Sequence, residues 1–326
     1  MIPLNRIVIQ PLVLGILACQ AASVQPEATP LQKAPITLPE SVTLPATMSF
    51  QAWSGTANGV PTVLVSIDES RTERAAIATG LNANVVSTEA AQRLKLAPVT
   101  GRVKIDVLDT TAAAGQAEIQ RLRAATLDLP KLAFAVADVP GLLSPHPHPD
   151  APAAWLGTPF LSAFQVTLDS QAHRITLKPA SAALPRVRDA SVVPLKMRDN
   201  RPYIQVSIPG VKPFLALLDT TSPGTVIPTD VGEKLKLKPV QVETISWREG
   251  KPCKATRVEL PKLAVGKAEW KSARVFYLSA DNSKGFDRSF AVIGMDFISQ
   301  FNLTIDFAHA KLALAPPQKT PSPTEP

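Results

Sequence analysis

Ala216-Leu217-Leu218-Asp219-Thr220-Thr221-Ser222-Pro223-Gly224-Thr225-Val226-Ile227 is the stretch on which the reading of this 326-residue chain turns. Three apolar residues deliver an acid to a run of small hydroxylated residues. Pro223-Gly224 then turns the chain into a second apolar stretch. An apolar run cut off by turn-forming residues reads as a strand ending in a tight loop. Immediately after it, 228–237 (PTDVGEKLKL) opens with Thr229 beside Asp230 and reads as a short helix.

The same order of features occurs a second time. Residues 61–96 align without a gap on 202–237 at a constant offset of 141, with 11 identities in 36 positions. Chance would give about two at ordinary composition. ATLDLPKLA (125–133) recurs as TRVELPKLA (256–264), and 155–179 recurs as 292–316 with 8 identities in 25. Three blocks kept in order imply a duplicated domain. The first lobe runs over 50–181 and the second over 190–315, joined near ALPRVRDA (183–190).

Within the lobes, short apolar runs alternate with turn residues and show little sustained helical periodicity. VPTVLVSI (60–67), RVKIDVL (102–108) and PYIQVSI (202–208) are strands, while 87–96 and 228–237 are the helices. The expected fold is all-β: two pseudo-symmetric lobes around a cleft, with one short helix per lobe.

The second-lobe stretch, followed by Val292-Ile293-Gly294, Phe297, Phe301 and Ile305-Asp306, resembles the retropepsin- and pepsin-type aspartic proteases. In that family an apolar strand delivers Asp-Thr-Gly-Ala/Ser, and a later apolar-apolar-Gly turn supports the loop. The resemblance covers both lobes and implies the acid-protease architecture in one chain. It assigns Asp219 as a catalytic carboxylate, Thr220 as the residue that orients and bridges the two loops, and Ser222 as a hydrogen-bond donor to the outer carboxylate oxygen. Gly157 and Gly294 become the loop supports. The family's chemistry uses two carboxylates that share one proton, one activating water and its protonated partner donating to the scissile carbonyl.

Two departures stand out. The first-lobe counterpart is Ala78-Thr79-Gly80-Leu81, so the partner acid is replaced by a methyl group. In the second lobe Thr221 occupies the place of the usual Gly, where a β-branched side chain crowds closely approaching backbones. Asp68 and Asp109 are not at the loop position the chemistry demands. They read as surface residues, Asp68 on the strand before the loop and Asp109 where a hairpin over the cleft is expected. Asp169 and Asp306 recur together and read as turn residues.

The ends of the chain differ in character from its middle. Arg6 followed by the apolar run Ile7–Ala18 reads as an export signal over 1–19, too short to span a bilayer. Ile16-Leu17-Ala18-Cys19 resembles a bacterial lipobox, with Cys19 lipidated, and ordinary cleavage after Ala21 is the alternative. Residues 20–49 form a Pro-rich tether, and 316–326 are expected to be a disordered tail. Cys19 is lipidated or removed, so Cys253 is left without a disulfide partner.

The net charge of +7 is spread along the chain, and no basic cluster interleaved with aromatics points to nucleic acid. His146 and His148 alternate with Pro in SPHPHPD (144–150), which reads as a stiff surface loop rather than a metal site. No motif calls for a cofactor or metal. Trp247 before Arg248-Glu249-Gly250-Lys251 marks a hairpin tip, either a cover over the cleft or an ordinary cross-strand aromatic.

The expectation is therefore an exported protein of the bacterial envelope, periplasmic or lipid-anchored. It is expected to be a monomer that binds extended peptide segments with little or no cleavage. Two alternatives stay open: an endopeptidase whose dyad forms from two Asp219 residues in a homodimer, and a structural envelope module.

Overall fold

The computed structural model describes residues 47–51, 59–70, 72–137, 151–246, 252–278 and 287–317. The export signal with Cys19, most of the tether, the 144–150 loop, the tip at 247–251 and the tail from 318 lie outside them.

Each lobe is organised around one threaded loop. In the first, Thr62–Ile67 and Thr72–Ile77 pair as a hairpin with Thr62 opposite Ala76. Their inward side chains (Val63, Val65, Ile67, Ala75, Ile77) are buried, as a period of two demands of a half-buried sheet. The chain leaves Ile77 and later forms the short strand Val85–Val86. Ala154–Leu156 returns between them, parallel to Thr72–Ile77 and antiparallel to Val85–Val86, which closes the loop 78–84 around it. In the second lobe Arg201–Val206 pairs with Phe214–Leu218, and Val292–Ile293 returns parallel to the latter with Leu217 opposite Val292.

Long antiparallel hairpins complete both lobes. The first lobe has Ala97–Val107, Thr110–Ala124 and Leu127–Val136. The second has Pro239–Ser246, Pro252–Val265 and Ala268–Leu278.

A single six-stranded sheet joins the lobes, three strands from each. Its order is Met48–Gln51, Arg174–Pro179, Phe164–Asp169, Asn302–Asp306, Lys311–Ala315, Ser191–Pro194. At its centre Thr167 lies opposite Thr304, with their hydroxyls 2.9 Å apart. These two residues are copies of one another at the 137-residue offset of the third block (155 to 292). A residue that pairs antiparallel with its own copy lies on a twofold axis, so the duplication has produced pseudo-symmetry. Hydrophobic side chains from both lobes pack continuously beneath this sheet.

The fold is all-β and two-lobed as expected, but among the described residues each lobe carries two short helices rather than one. Thr88–Arg93 and Thr229–Leu235 are the helices read from the sequence. Ser87 caps the first, accepting the Ala90 N–H at 3.0 Å. The additional pair, Thr158–Leu161 and Met295–Ile298, are four-residue turns following Gly157 and Gly294. Four residues are too few to show a 3.6-residue period.

Asp68 is not on a strand; it sits in the turn after Thr62–Ile67 at φ 53°, where its carboxylate accepts the Arg121 N–H at 2.8 Å. Asp169 and Asp306 do act as turn residues, accepting the N–H groups of Ala172 and His309 at 3.0 Å each.

Candidate functional site

The two threaded loops meet on the pseudo-twofold axis, and Thr79 and Thr220 hold them together. The Thr79 N–H donates to Thr220 Oγ1 at 3.2 Å, and the Thr220 N–H donates to Thr79 Oγ1 at 3.0 Å. Each hydroxyl then donates across the lobe boundary, Thr79 to the Leu218 carbonyl at 2.7 Å and Thr220 to the Ile77 carbonyl. Leu218 and Ile77 are themselves copies at the 141 offset, so the arrangement is symmetric in all four bonds. Buried hydroxyls that both donate and accept leave no polar atom stranded in a dry interface.

Support from below is also duplicated. The Ala78 N–H donates to the Leu156 carbonyl and the Asp219 N–H to the Ile293 carbonyl, each at 3.0 Å. The Gly157 N–H donates to Asn84 Oδ1 at 3.0 Å, and the Gly294 N–H to Thr225 Oγ1 at 3.2 Å. A Cβ on Gly157 would lie 2.0 Å from the Ala83 carbonyl oxygen, and one on Gly294 would lie 2.5 Å from that of Gly224. Both glycines are thus required by close backbone approach, in the supporting place assigned to them. Asp296 reinforces the second-lobe loop only, accepting the N–H and hydroxyl of Thr225 at 2.8 and 2.6 Å.

Asp219 stands at the end of Phe214–Leu218 and is 2% exposed. Its Oδ1 accepts from the Thr221 N–H at 2.8 Å and from the Thr221 hydroxyl at 2.6 Å. Burial pushes this carboxyl above its ordinary range, against the opposing pull of the Thr221 bonds, the Arg201 charge and the Gly80 N–H. The carboxylate lies tight against the other loop: a Cβ on Gly80 would fall 2.3 Å from Asp219 Cγ. Across the axis Ala78 is wholly buried and offers only its methyl.

Two assignments at the loop change. Ser222 donates to the Gly224 carbonyl at 2.8 Å rather than to Asp219. Thr221 fills that role, because its hydroxyl stands beside the carboxylate where the family's Gly has only hydrogen. Far from merely crowding the loop, Thr221 is buried and bonded to Asp219 twice.

The hairpin Ala97–Val107/Thr110–Ala124 closes over these loops. Val103, Ile105, Val107, Leu108 and Ala114 form one buried apolar cluster with Ala76, Ala78, Leu217, Phe290 and Val292, drawn from both lobes. Asp106 fastens the hairpin to the first-lobe loop: Asn82 Nδ2 donates to it at 2.7 Å, and its own N–H donates to Asn82 Oδ1 at 2.8 Å. Arg201 fastens it to the second lobe, with Nη1 donating to the Leu108 carbonyl at 2.6 Å. Asp109 sits at this hairpin's turn, beside Leu108 at φ 53°.

Asn82, Asp106, Arg201 and the bonding role of Thr221 were missed by sequence reasoning. One signal was available for Arg201, whose copy at the 141 offset is Val60, a charge against an apolar residue. Cys253 is half-buried, and its thiol donates to the Lys254 carbonyl at 3.6 Å.

A family model described as aspartyl protease matches residues 204–297, the core of the second lobe. Among solved structures, the aspartic proteinase from Irpex lacteus is similar over 86% of this chain and 100% of its own, with a TM-score of 0.54 and 13% identity. Basic 7S globulin from soybean is similar over 82% of this chain and 94% of its own, with a TM-score of 0.51 and 10% identity. No curated protein matches the chain in sequence. At such identities the structural likeness speaks for the fold alone. With the family match, it supports a pepsin/retropepsin-like aspartic protease family and the two-lobed fold.

Proposed function

We propose that this chain is an exported, non-cleaving member of the aspartic-protease fold, which recognises an extended polypeptide segment at the junction of its lobes. The observation that carries the proposal is the pairing across the axis: Asp219 faces the Ala78/Gly80 loop, and that loop has no carboxylate to give. Acid hydrolysis of a peptide bond needs a base for water and an acid for the carbonyl oxygen at the same moment. One carboxyl supplies either but not both. The scaffold, in contrast, is retained in full, with both threonines, both supporting glycines and the joining sheet in place.

Export rests on Arg6 and the apolar run before Cys19. With Cys19 lipidated the protein is an envelope lipoprotein, and with cleavage after Ala21 it is periplasmic.

The homodimer reading is disfavoured by the same geometry. Bringing two Asp219 residues together requires each second lobe to leave the sheet pair Thr167/Thr304 and the Thr79/Thr220 bonds. A structural envelope module is the second reading, favoured by the apolar cluster that fills the space above Asp219. The test is binding of a fluorescein-labelled random decapeptide mixture to purified full-length protein, with hydrolysis followed in parallel at mildly acidic pH. Saturable binding without turnover is expected. Absence of binding would favour the structural module, and turnover abolished by Asp219→Asn would make the chain an enzyme.

A further inference from the structure

Arg201 is an unusual residue to find inside an apolar junction. Only 8% of it is exposed, and its Nε has no hydrogen-bond partner. Among the described residues its side chain makes one hydrogen bond, the Nη1 donation to the carbonyl of Leu108, at the tip of the hairpin that belongs to the opposite lobe. Tyr203 lies alongside, its ring centroid 6.0 Å from the guanidinium carbon. Burying a guanidinium is costly unless its donors are met, so a single cross-lobe bond with a donor left over is a contact poised to be exchanged.

We propose that Arg201 latches the covering hairpin Ala97–Val107/Thr110–Ala124 to the second lobe through the Leu108 carbonyl. An incoming polypeptide strand must take the place of the Leu108 carbonyl on the guanidinium before it can reach the loops. The proposal rests on the recognition reading above and specifies how that site is opened. Two features of the hairpin support it. Its other fastening, between Asn82 and Asp106, lies wholly within the first lobe and survives when the lobes part at the tip. Arg201 is a described side chain whose bond ties the tip to the facing lobe. The latch is also one-sided, because the copy of Arg201 is Val60, which has no guanidinium to offer. A backbone carbonyl of an extended peptide is the same chemical group as the one it displaces, and the unpartnered Nε–H can donate to a second.

Hydrogen exchange on the full-length protein tests this directly. In Arg201→Met, which keeps an apolar stem and removes the donors, amides of 103–111 should exchange about tenfold faster, the scale of one lost charge-assisted hydrogen bond. Amides of Phe164–Asp169 and Asn302–Asp306, in the joining sheet, should not change. Arg201→Lys, which retains a charged donor group able to reach one carbonyl, should restore much of the protection. Unchanged exchange at the tip in Arg201→Met would overturn the latch.

Should that variant fail to fold, the wild-type protein decides. A latched hairpin opens locally, so its tip amides must exchange at a lower free energy than those of the joining sheet. Exchange of both regions only through global unfolding would overturn the proposal. The decapeptide mixture separates this inference from the one beneath it. Faster exchange with faster peptide association in Arg201→Met supports both. Faster exchange in Arg201→Met, with no peptide binding to the wild-type protein, keeps the latch and overturns the recognition reading.

Discussion

Thr79 and Thr220, 141 residues apart, each accept the other's backbone N–H and each donate to the carbonyl that precedes the partner loop. Replacing either hydroxyl strands one N–H and one carbonyl in a dry interface. Thr79→Val and Thr220→Val should therefore each cost about 2–6 kcal/mol, counting 1–3 kcal/mol for each orphaned group. Symmetry makes the two costs similar. Ser222→Ala, which loses only the bond to the Gly224 carbonyl, should cost under about 1 kcal/mol. Urea unfolding of the three variants checks this. A Ser222 cost as large as the Thr220 cost would return Ser222 to the centre of the site.

Gly80 and Asp219 make a sharper test of how closely the loops approach. A methyl on Gly80 has no room beside the Asp219 carboxylate, at 2.3 Å from Cγ. Gly80→Ala should destabilise by about 3 kcal/mol or more, as overpacking in a rigid core does. Most of that cost should vanish in an Asp219→Ala background, giving a coupling of more than about 1 kcal/mol between the two sites. Additive costs in the double-mutant cycle would mean that the loops are further apart than described.

Much of this fold was legible in the sequence because duplication writes the same message twice. The constant 141 offset located the paired loops, and the recurrence of 155–179 as 292–316 marked the third block, although only the structure shows that its strands pair on the axis. Gly157 and Gly294 stood out for the same reason. What was not legible lies in the differences between the copies. Thr221 against Gly80 looked like damage, since sequence shows bulk at a position but not the hydrogen bond that the bulk brings. Arg201 against Val60 passed unnoticed, because its partner is a backbone carbonyl in the other lobe and backbone acceptors leave no trace in composition. The four-residue helices after Gly157 and Gly294 are too short to carry a period.

The pH dependence of stability should carry a mark from Asp219. Its carboxyl ionises at higher pH in the folded protein than the roughly 3.9 of an unfolded chain, because burial disfavours the charge. Below about pH 4 the group is protonated in both states and contributes nothing to the slope. Above that, until the folded carboxyl ionises, the folded state holds the extra proton, so stability falls as pH rises. Once both states are ionised the penalty is constant. Asp219→Asn removes this contribution, so wild type should lose ground relative to the variant from about pH 4 upward. Asp296, also raised by burial, is present in both proteins and cancels. Melting temperatures of the pair across this range decide the matter, and a flat difference would refute the assignment.

The last prediction concerns Ala78. If a missing carboxylate is what silences the site, restoring it should restore chemistry. Ala78→Asp turns the first-lobe loop into Asp-Thr-Gly-Leu, with Thr79 and Gly80 already in place. The new side chain leaves a backbone position whose N–H bond to Leu156 mirrors the Asp219 bond to Ile293, so it faces Asp219 across the axis. Two carboxyls at that separation cannot both ionise, and a shared proton supplies the acid and the base together. The variant should therefore acquire slow peptide hydrolysis at mildly acidic pH, and Ala78→Asp/Asp219→Asn should not. Rates will stay low, because the hairpin must still lift from Arg201 and Thr221 still holds one oxygen of Asp219. Wild-type protein assayed beside them should show no turnover above the Asp219→Asn background. A folded Ala78→Asp protein with no activity, even after Arg201→Met frees the hairpin, would mean that the methyl at position 78 is not what keeps this site silent.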